Sequence, residues 1–129
     1  MARPNSKHPT ELELEILKVL WRRGSSTVRD VREALQGSRK LAHTSVMTVM
    51  SIMTEKGYLK RKKEGGGYVY QARITEKRTV GGMLKDIVNR AFDGSPAAAM
   101  LQLLETSDLD AEELRQLREL INQKTENPE

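Results

Sequence analysis

The feature that most constrains this chain is a change of hydrophobic period between Tyr58 and Ile74. Before it, apolar residues recur every three or four positions; within it, they alternate in twos around a run of three glycines; after Thr75, the longer spacing returns. The first pattern puts side chains on one face of a helix, and the second puts them on one face of a strand. Helices, one short hairpin and more helices predict a mainly α fold with a small β-hairpin.

Local signals divide the helical parts. Pro9 and the pair Thr10 and Glu13 open a first helix, whose apolar face is Leu12, Ile16, Leu17 and Leu20, and Gly24 ends it. Ser25 and Ser26 form a short extended link. Thr27 and Asp30 then open a second helix bearing Val28, Val31, Ala34 and Leu35, which Gly37 is expected to close in a left-handed conformation. A third helix is predicted from His43 to Lys56, stopped by Gly57, with Val46, Val49, Met50 and Met53 as its apolar face. Its opposite face, Thr44, Ser45, Thr48 and Ser51, is small and polar and carries no charge until Glu55 and Lys56.

The hairpin is read as Tyr58 to Lys63, a tip at Glu64 to Gly67, and Tyr68 to Ile74. Beyond it, Met83, Leu84, Ile87, Val88, Ala91 and Phe92 form an apolar stripe whose start Gly81 and Gly82 weaken. Asp93 to Pro96 breaks the chain. A short helix with Met100, Leu101, Leu103 and Leu104 follows, then one capped by Asp110 and Glu113 with Leu114, Leu117, Leu120 and Ile121. The expected division is a winged helix-turn-helix domain over 1–75, a helical dimerisation region over 76–125 and a disordered tail over 126–129.

Charge separates the same two halves. Residues 1–79 hold 17 Lys or Arg against 8 Asp or Glu, a net of +9, whereas residues 80–129 hold 5 against 10, a net of −5. A basic half joined to an acidic half implies that one part meets a polyanion while the other has a different task.

Three helices followed by a basic hairpin is the element order of a winged helix-turn-helix that reads duplex DNA. The third helix would enter the major groove, presenting His43, Thr44, Ser45 and Thr48 near its N-terminus, where free amides also suit a phosphate. Arg39 and Lys40 in the preceding turn, and Lys60, Arg61, Lys62, Lys63 and Arg73 on the wing, supply cations for the DNA backbone. Hydroxyls discriminate weakly between bases, so phosphates are expected to carry much of the affinity. A basic run on a strand also discourages sheet-to-sheet aggregation, so the wing alone does not decide the matter. The competing reading is a winged-helix interaction module whose basic wing binds an acidic partner.

Other chemistries find no footing. Without cysteine there is no disulfide, thiolate metal site or thiol catalysis, which fits a reducing cytosol. His8 and His43 are too few and isolated for a metal site, and the Met47, Met50 and Met53 series reads as core and its flank. The glycine run lacks the helix and lysine of a nucleotide loop. The carboxylates are scattered among caps and helix surfaces, so no enzyme and no cofactor are expected. No apolar run approaches the about 20 residues of a membrane span, and the basic N-terminal stretch lacks the apolar core of a secretory leader. The expected location is the cytoplasm.

The stretch Leu41 to Met50, with Lys56-Gly57-Tyr58-Leu59, Tyr68-Val69-Tyr70, Glu13 to Trp21 and Thr27 to Val31, resembles the penicillinase-repressor family (BlaI/MecI/CopY type) over nearly the whole chain. The resemblance implies a bacterial repressor that sits on a palindromic operator as a homodimer. Its C-terminal helices would exchange contacts between protomers, here through Met83, Leu84, Ile87, Leu101, Leu104, Leu114, Leu117 and Ile121. It also implies release through cleavage of that region by a membrane sensor-transducer metalloprotease. Three departures stand out. The copper-responsive branch has a cysteine-rich tail that this chain lacks; the family's Asn-Phe cleavage bond corresponds to Gln102-Leu103; and Ile52 stands where an arginine is usual.

Overall fold

Side chains that satisfy the first free amides fix where the helices begin, and a computed structural model describing residues 7–127 carries these caps atom by atom. Helix α1 (Glu11–Arg23) starts with a reciprocal box: Thr10 Oγ1 accepts from the Glu13 amide at 3.2 Å and Glu13 Oε1 from the Thr10 amide at 2.9 Å. Thr27 and Asp30 repeat the arrangement at 3.0 Å in both directions for α2 (Val28–Leu35). The third helix, α3, runs His43–Glu55. Thr75 Oγ1 accepts from the Arg78 amide at the start of α4 (Glu76–Ala91), and Ser95 caps α5 (Pro96–Thr106), which has proline in its first turn. Asp110 and Glu113 box the start of α6 (Ala111–Glu126).

The stops agree in part with expectation. Gly24 and Gly57 follow α1 and α3 with φ of +84° and +87°, the region that a Cβ disfavours. Gly37 does not take the left-handed conformation. Helix α2 has already ended at Leu35, whose carbonyl accepts from the amides of Ser38 and Arg39, so the end is satisfied without a positive φ. Helix α4 passes through Gly81 and Gly82 without interruption. Helix α6 continues through Glu126, where the tail was expected to begin, with Thr125 Oγ1 donating to the Ile121 carbonyl; residues 128–129 of that tail lie outside the described residues.

Strands β1 (Leu59–Glu64) and β2 (Gly67–Ala72) pair antiparallel, from Leu59 opposite Ala72 to Glu64 opposite Gly67. The two residues between them, Gly65 and Gly66, have φ of +58° and +85°, as a tight hairpin turn matched to strand twist requires. The extended link after α1 adds a third rung. Ser26 and Tyr70 exchange both backbone hydrogen bonds, at 3.0 and 2.8 Å, so β2 is paired on both edges there. The indole of Trp21 donates to the Ile74 carbonyl at 2.9 Å and ties α1 to the end of the hairpin.

One apolar cluster joins these elements. It comprises Ile16, Leu17 and Leu20 from α1, Val28, Val31 and Leu35 from α2, Val46, Met50 and Met53 from α3, and Leu59 and Tyr70 from the hairpin. These are the positions that helical and alternating spacing select, with Tyr70 the one strand aromatic that is buried. By compactness the chain divides into Met1–Lys85 and Asp86–Glu129, a division that falls inside α4. At the start of α4, within the first unit, Arg78, Thr79 and Gly82 share a cleft with residues 7–9, Tyr58 and Thr75. Among the described residues of the second unit only Val88 and Ala99 are buried, and the leucines of α5 and α6 are left open. Among the described residues no helix is long and apolar enough to cross a membrane.

Candidate nucleic-acid interface

The core grips one side of α3 and leaves the other free. Val46, Met50 and Met53 are fully buried, whereas His43, Thr44, Ser45 and Thr48 are exposed. Two polar contacts fix the helix ends. Arg32 Nε of α2 donates to the Leu41 carbonyl at 2.8 Å just ahead of α3, and Lys56 Nζ at its far end donates to Glu13 Oε2 at 2.8 Å. The N-cap of α3 is Ala42, which offers no side-chain acceptor, and the first turn carries no acid. The Ser45 amide donates to the Ala42 carbonyl at 3.1 Å, which leaves the His43 and Thr44 amides open to an anion, and the helix dipole favours one there.

The hydroxyls on the open face are not equivalent. Thr48 Oγ1 donates to the Thr44 carbonyl at 2.9 Å, which commits its hydrogen to the helix and leaves the oxygen's lone pairs and the methyl group outward. In the preceding turn Lys40 is exposed, but Arg39 is engaged: Nε donates to Glu15 Oε2 at 2.6 Å and Nη2 to Glu11 Oε1 at 3.0 Å. Its guanidinium clamps the turn to α1, and two carboxylates offset its charge.

On the wing, alternation sends the cations of β1 to two faces. Arg61 and Lys63 stand opposite Tyr70 and Tyr68. The Arg61 guanidinium lies 4.2 Å from the centre of the Tyr68 ring, and a hydrogen bond with Tyr70 raises its pKa above the ordinary arginine value. Lys60 and Lys62 line a cleft of about 700 Å³ with Thr27, Asp30 and Gln71, and Arg61 also borders it. Arg73 stands apart from this group. It is past the end of β2, its amide bonded to the Tyr58 carbonyl at 2.8 Å, six residues or about 20 Å of strand from the glycine tip. The structure thus gathers Lys60, Arg61, Lys62 and Lys63 on one strand and places Arg73 at the wing's base. Among the described residues no group of three His, Cys, Asp or Glu is placed to hold a metal ion.

A family model described as penicillinase repressor matches residues 9–123. The chain belongs to the penicillinase-repressor family. That family consists of transcriptional repressors and not of enzymes, and this chain is a transcriptional repressor with a winged-helix domain and a helical C-terminal region. The chain is 33% identical over 102 residues to the transcriptional regulator BlaI of Mycobacterium tuberculosis, covering 78% of this chain and 74% of that one. It is 26% identical over 114 residues to the penicillinase repressor of Bacillus licheniformis, covering 88% and 89%. A solution structure of the Bacillus licheniformis BlaI monomeric form in complex with the blaP half-operator is 28% identical, covering 54% of this chain and 85% of that chain, with a TM-score of 0.47.

Within this family member, two features escaped the sequence reading. The Glu13–Lys56 pair joins residues 43 positions apart, and Arg32 reaches a backbone carbonyl, for which sequence holds no signal. Met47 and Ile52, by contrast, were legible. At about 100° per residue they fall well off the Val46, Met50 and Met53 stripe, and both are 42% exposed. Met47 is therefore not part of the core that receives Met50 and Met53.

Proposed function

We propose that this repressor binds a palindromic DNA operator as a homodimer, with α3 in the major groove and the cations of β1 on the flanking backbone. The observation that carries the reading is the open face of α3, uncharged, hydroxyl-bearing and led by an uncapped N-terminus in a domain otherwise rich in cations. Thr44, Ser45 and Thr48 approach base edges, with His43 at the entrance. Lys40, Lys60, Arg61, Lys62 and Lys63 neutralise phosphates, with Arg73 at the base of the wing as a further cation. Arg39 acts chiefly by holding the turn, since its charge is shared with Glu11 and Glu15.

The second unit supports the dimer. Ile87, Leu101, Leu104, Leu114, Leu117 and Ile121 are all exposed within one chain, and a second copy is a partner that can bury such side chains symmetrically; Leu84, exposed at the end of the first unit, is assigned to the same contact. Two protomers would then present their α3 helices about one duplex turn apart, roughly 34 Å, or a multiple of it. Release by a membrane sensor-transducer metalloprotease at Gln102-Leu103 is compatible with their exposure, but both residues lie inside α5, so cleavage requires local unwinding of that helix first. The repressor works in the cytoplasm, where its DNA is.

A mobility-shift titration with the gene's own upstream DNA tests the reading. Sequence-dependent retention that weakens steeply with salt, by a log-log slope of about −0.9 per phosphate contact, is expected. Retention indifferent to sequence would instead favour a module for an acidic partner.

A further inference from the structure

The open face of α3 lacks the side chains that recognise bases most selectively. Arginine or lysine pairs with guanine and asparagine or glutamine with adenine through two hydrogen bonds, and none of these residues lies between His43 and Glu55. The Thr48 hydrogen is already donated to the Thr44 carbonyl. Beside the His43 imidazole and the Thr44 and Ser45 hydroxyls, the first two turns present methyl groups and lone pairs outward, and the largest apolar group among them is Met47, 42% exposed and one turn on from Thr44.

From this arrangement we infer that Met47 is a specificity-determining residue that reads the C5-methyl of thymine in the major groove. The inference rests on the DNA-binding reading above and names what that site selects. A methyl group is the one feature of a base edge that an apolar side chain can recognise, and it distinguishes thymine from every other base. Methionine suits the contact because its unbranched, polarizable thioether adapts to a surface it must meet on binding. A single exposed methionine elsewhere would carry no such meaning. Here it stands in the second turn after an uncapped helix start, near the part of a recognition helix that meets base edges. Ile52, equally exposed, lies more than a turn further along and is the natural control.

The test compares duplexes of the footprinted upstream site in which thymines are replaced one at a time by deoxyuridine, which removes the methyl and keeps the base pair. The intact chain should lose about four-fold in affinity at each contacted position, the equivalent of one buried methyl group. Met47→Ala should bind the thymine duplex more weakly and be indifferent to uridine at one or more of those positions, whereas Ile52→Ala should keep the wild-type sensitivity there. Both side chains lie outside the buried cluster, so both variants should fold, which circular dichroism checks. Equal affinity for thymine and uridine duplexes, or a Met47→Ala chain as sensitive as wild type at every position, overturns the inference and leaves DNA binding intact. Failure to retain any duplex at low salt overturns both.

Discussion

Lys56 Nζ donates to Glu13 Oε2 at 2.8 Å, and the two side chains differ in their access to water, 24% exposed for the lysine and 4% for the glutamate. The pair ties the end of α3 to the start of α1, and the same glutamate caps α1 through its other oxygen. Its asymmetry predicts unequal mutants. Lys56→Met strands a carboxylate away from solvent and should cost about 2–3 kcal/mol, somewhat under the range for a fully buried pair. Glu13→Gln keeps an oxygen for the Thr10 amide and leaves an ammonium that can turn to water, so about 1 kcal/mol is expected. Urea unfolding of the two variants checks the order.

Backbone and base contacts separate by their response to salt and to sequence. Lys62 is exposed on β1 and has no role in the buried cluster. Lys62→Ala should weaken binding to all sequences alike and reduce the magnitude of the salt slope by about 0.9. Thr48→Ala should leave the slope unchanged and narrow the gap between operator and unrelated DNA. Titrations of both duplexes at several salt concentrations measure both effects, and a Lys62→Ala chain with an unaltered slope would remove that lysine from the interface.

Most of the fold was legible because its signals are local. Thr10 with Glu13, Thr27 with Asp30 and Asp110 with Glu113 all form the boxes that their spacing announces, and the core draws on the residues that periodicity selects. What stayed hidden is contact between segments. Ser26 becomes a rung of the sheet through backbone atoms alone, and the Arg39 guanidinium is taken up by acids 24 and 28 residues away, which a count of cations cannot reveal. Gly37 misled because a glycine near a helix end permits a left-handed residue without requiring one. Of the candidate site, the exposed hydroxyls and wing lysines followed from pattern, while the position of Arg73 at the wing's base needed the strand register.

The cap of α2 predicts a stability component that depends on pH. The Asp30 carboxylate accepts from the Thr27 amide and hydroxyl, and these bonds, helped by Arg23 and Arg29, hold its pKa below the ordinary carboxylate value. A folded pKa lowered in this way stabilises the protein above the unfolded value, about 3.9, and the benefit disappears as pH falls through the folded one. Asp30→Asn should therefore be less stable than wild type at neutral pH, and the two urea midpoints should converge as the solution is acidified below that range. A gap that persists at the acid end would mean that charge is not what the aspartate contributes.

Leu117 offers the sharpest separation of folding from assembly. It is 42% exposed on α6, in line with Leu114, Leu120 and Ile121, and none of these four belongs to the cluster that holds the first unit together. An aspartate at this position disturbs nothing buried within the chain, yet it would place a charge in the centre of an apolar contact between copies, where desolvation is unfavourable. Leu117→Asp should sediment as a monomer at concentrations where wild type is dimeric, while the cooperative unfolding of the winged domain stays in place. Operator affinity should then fall toward that of a single half-site, because two recognition helices no longer arrive together. A Leu117→Asp chain that remains a dimer would place the interface elsewhere than on α6.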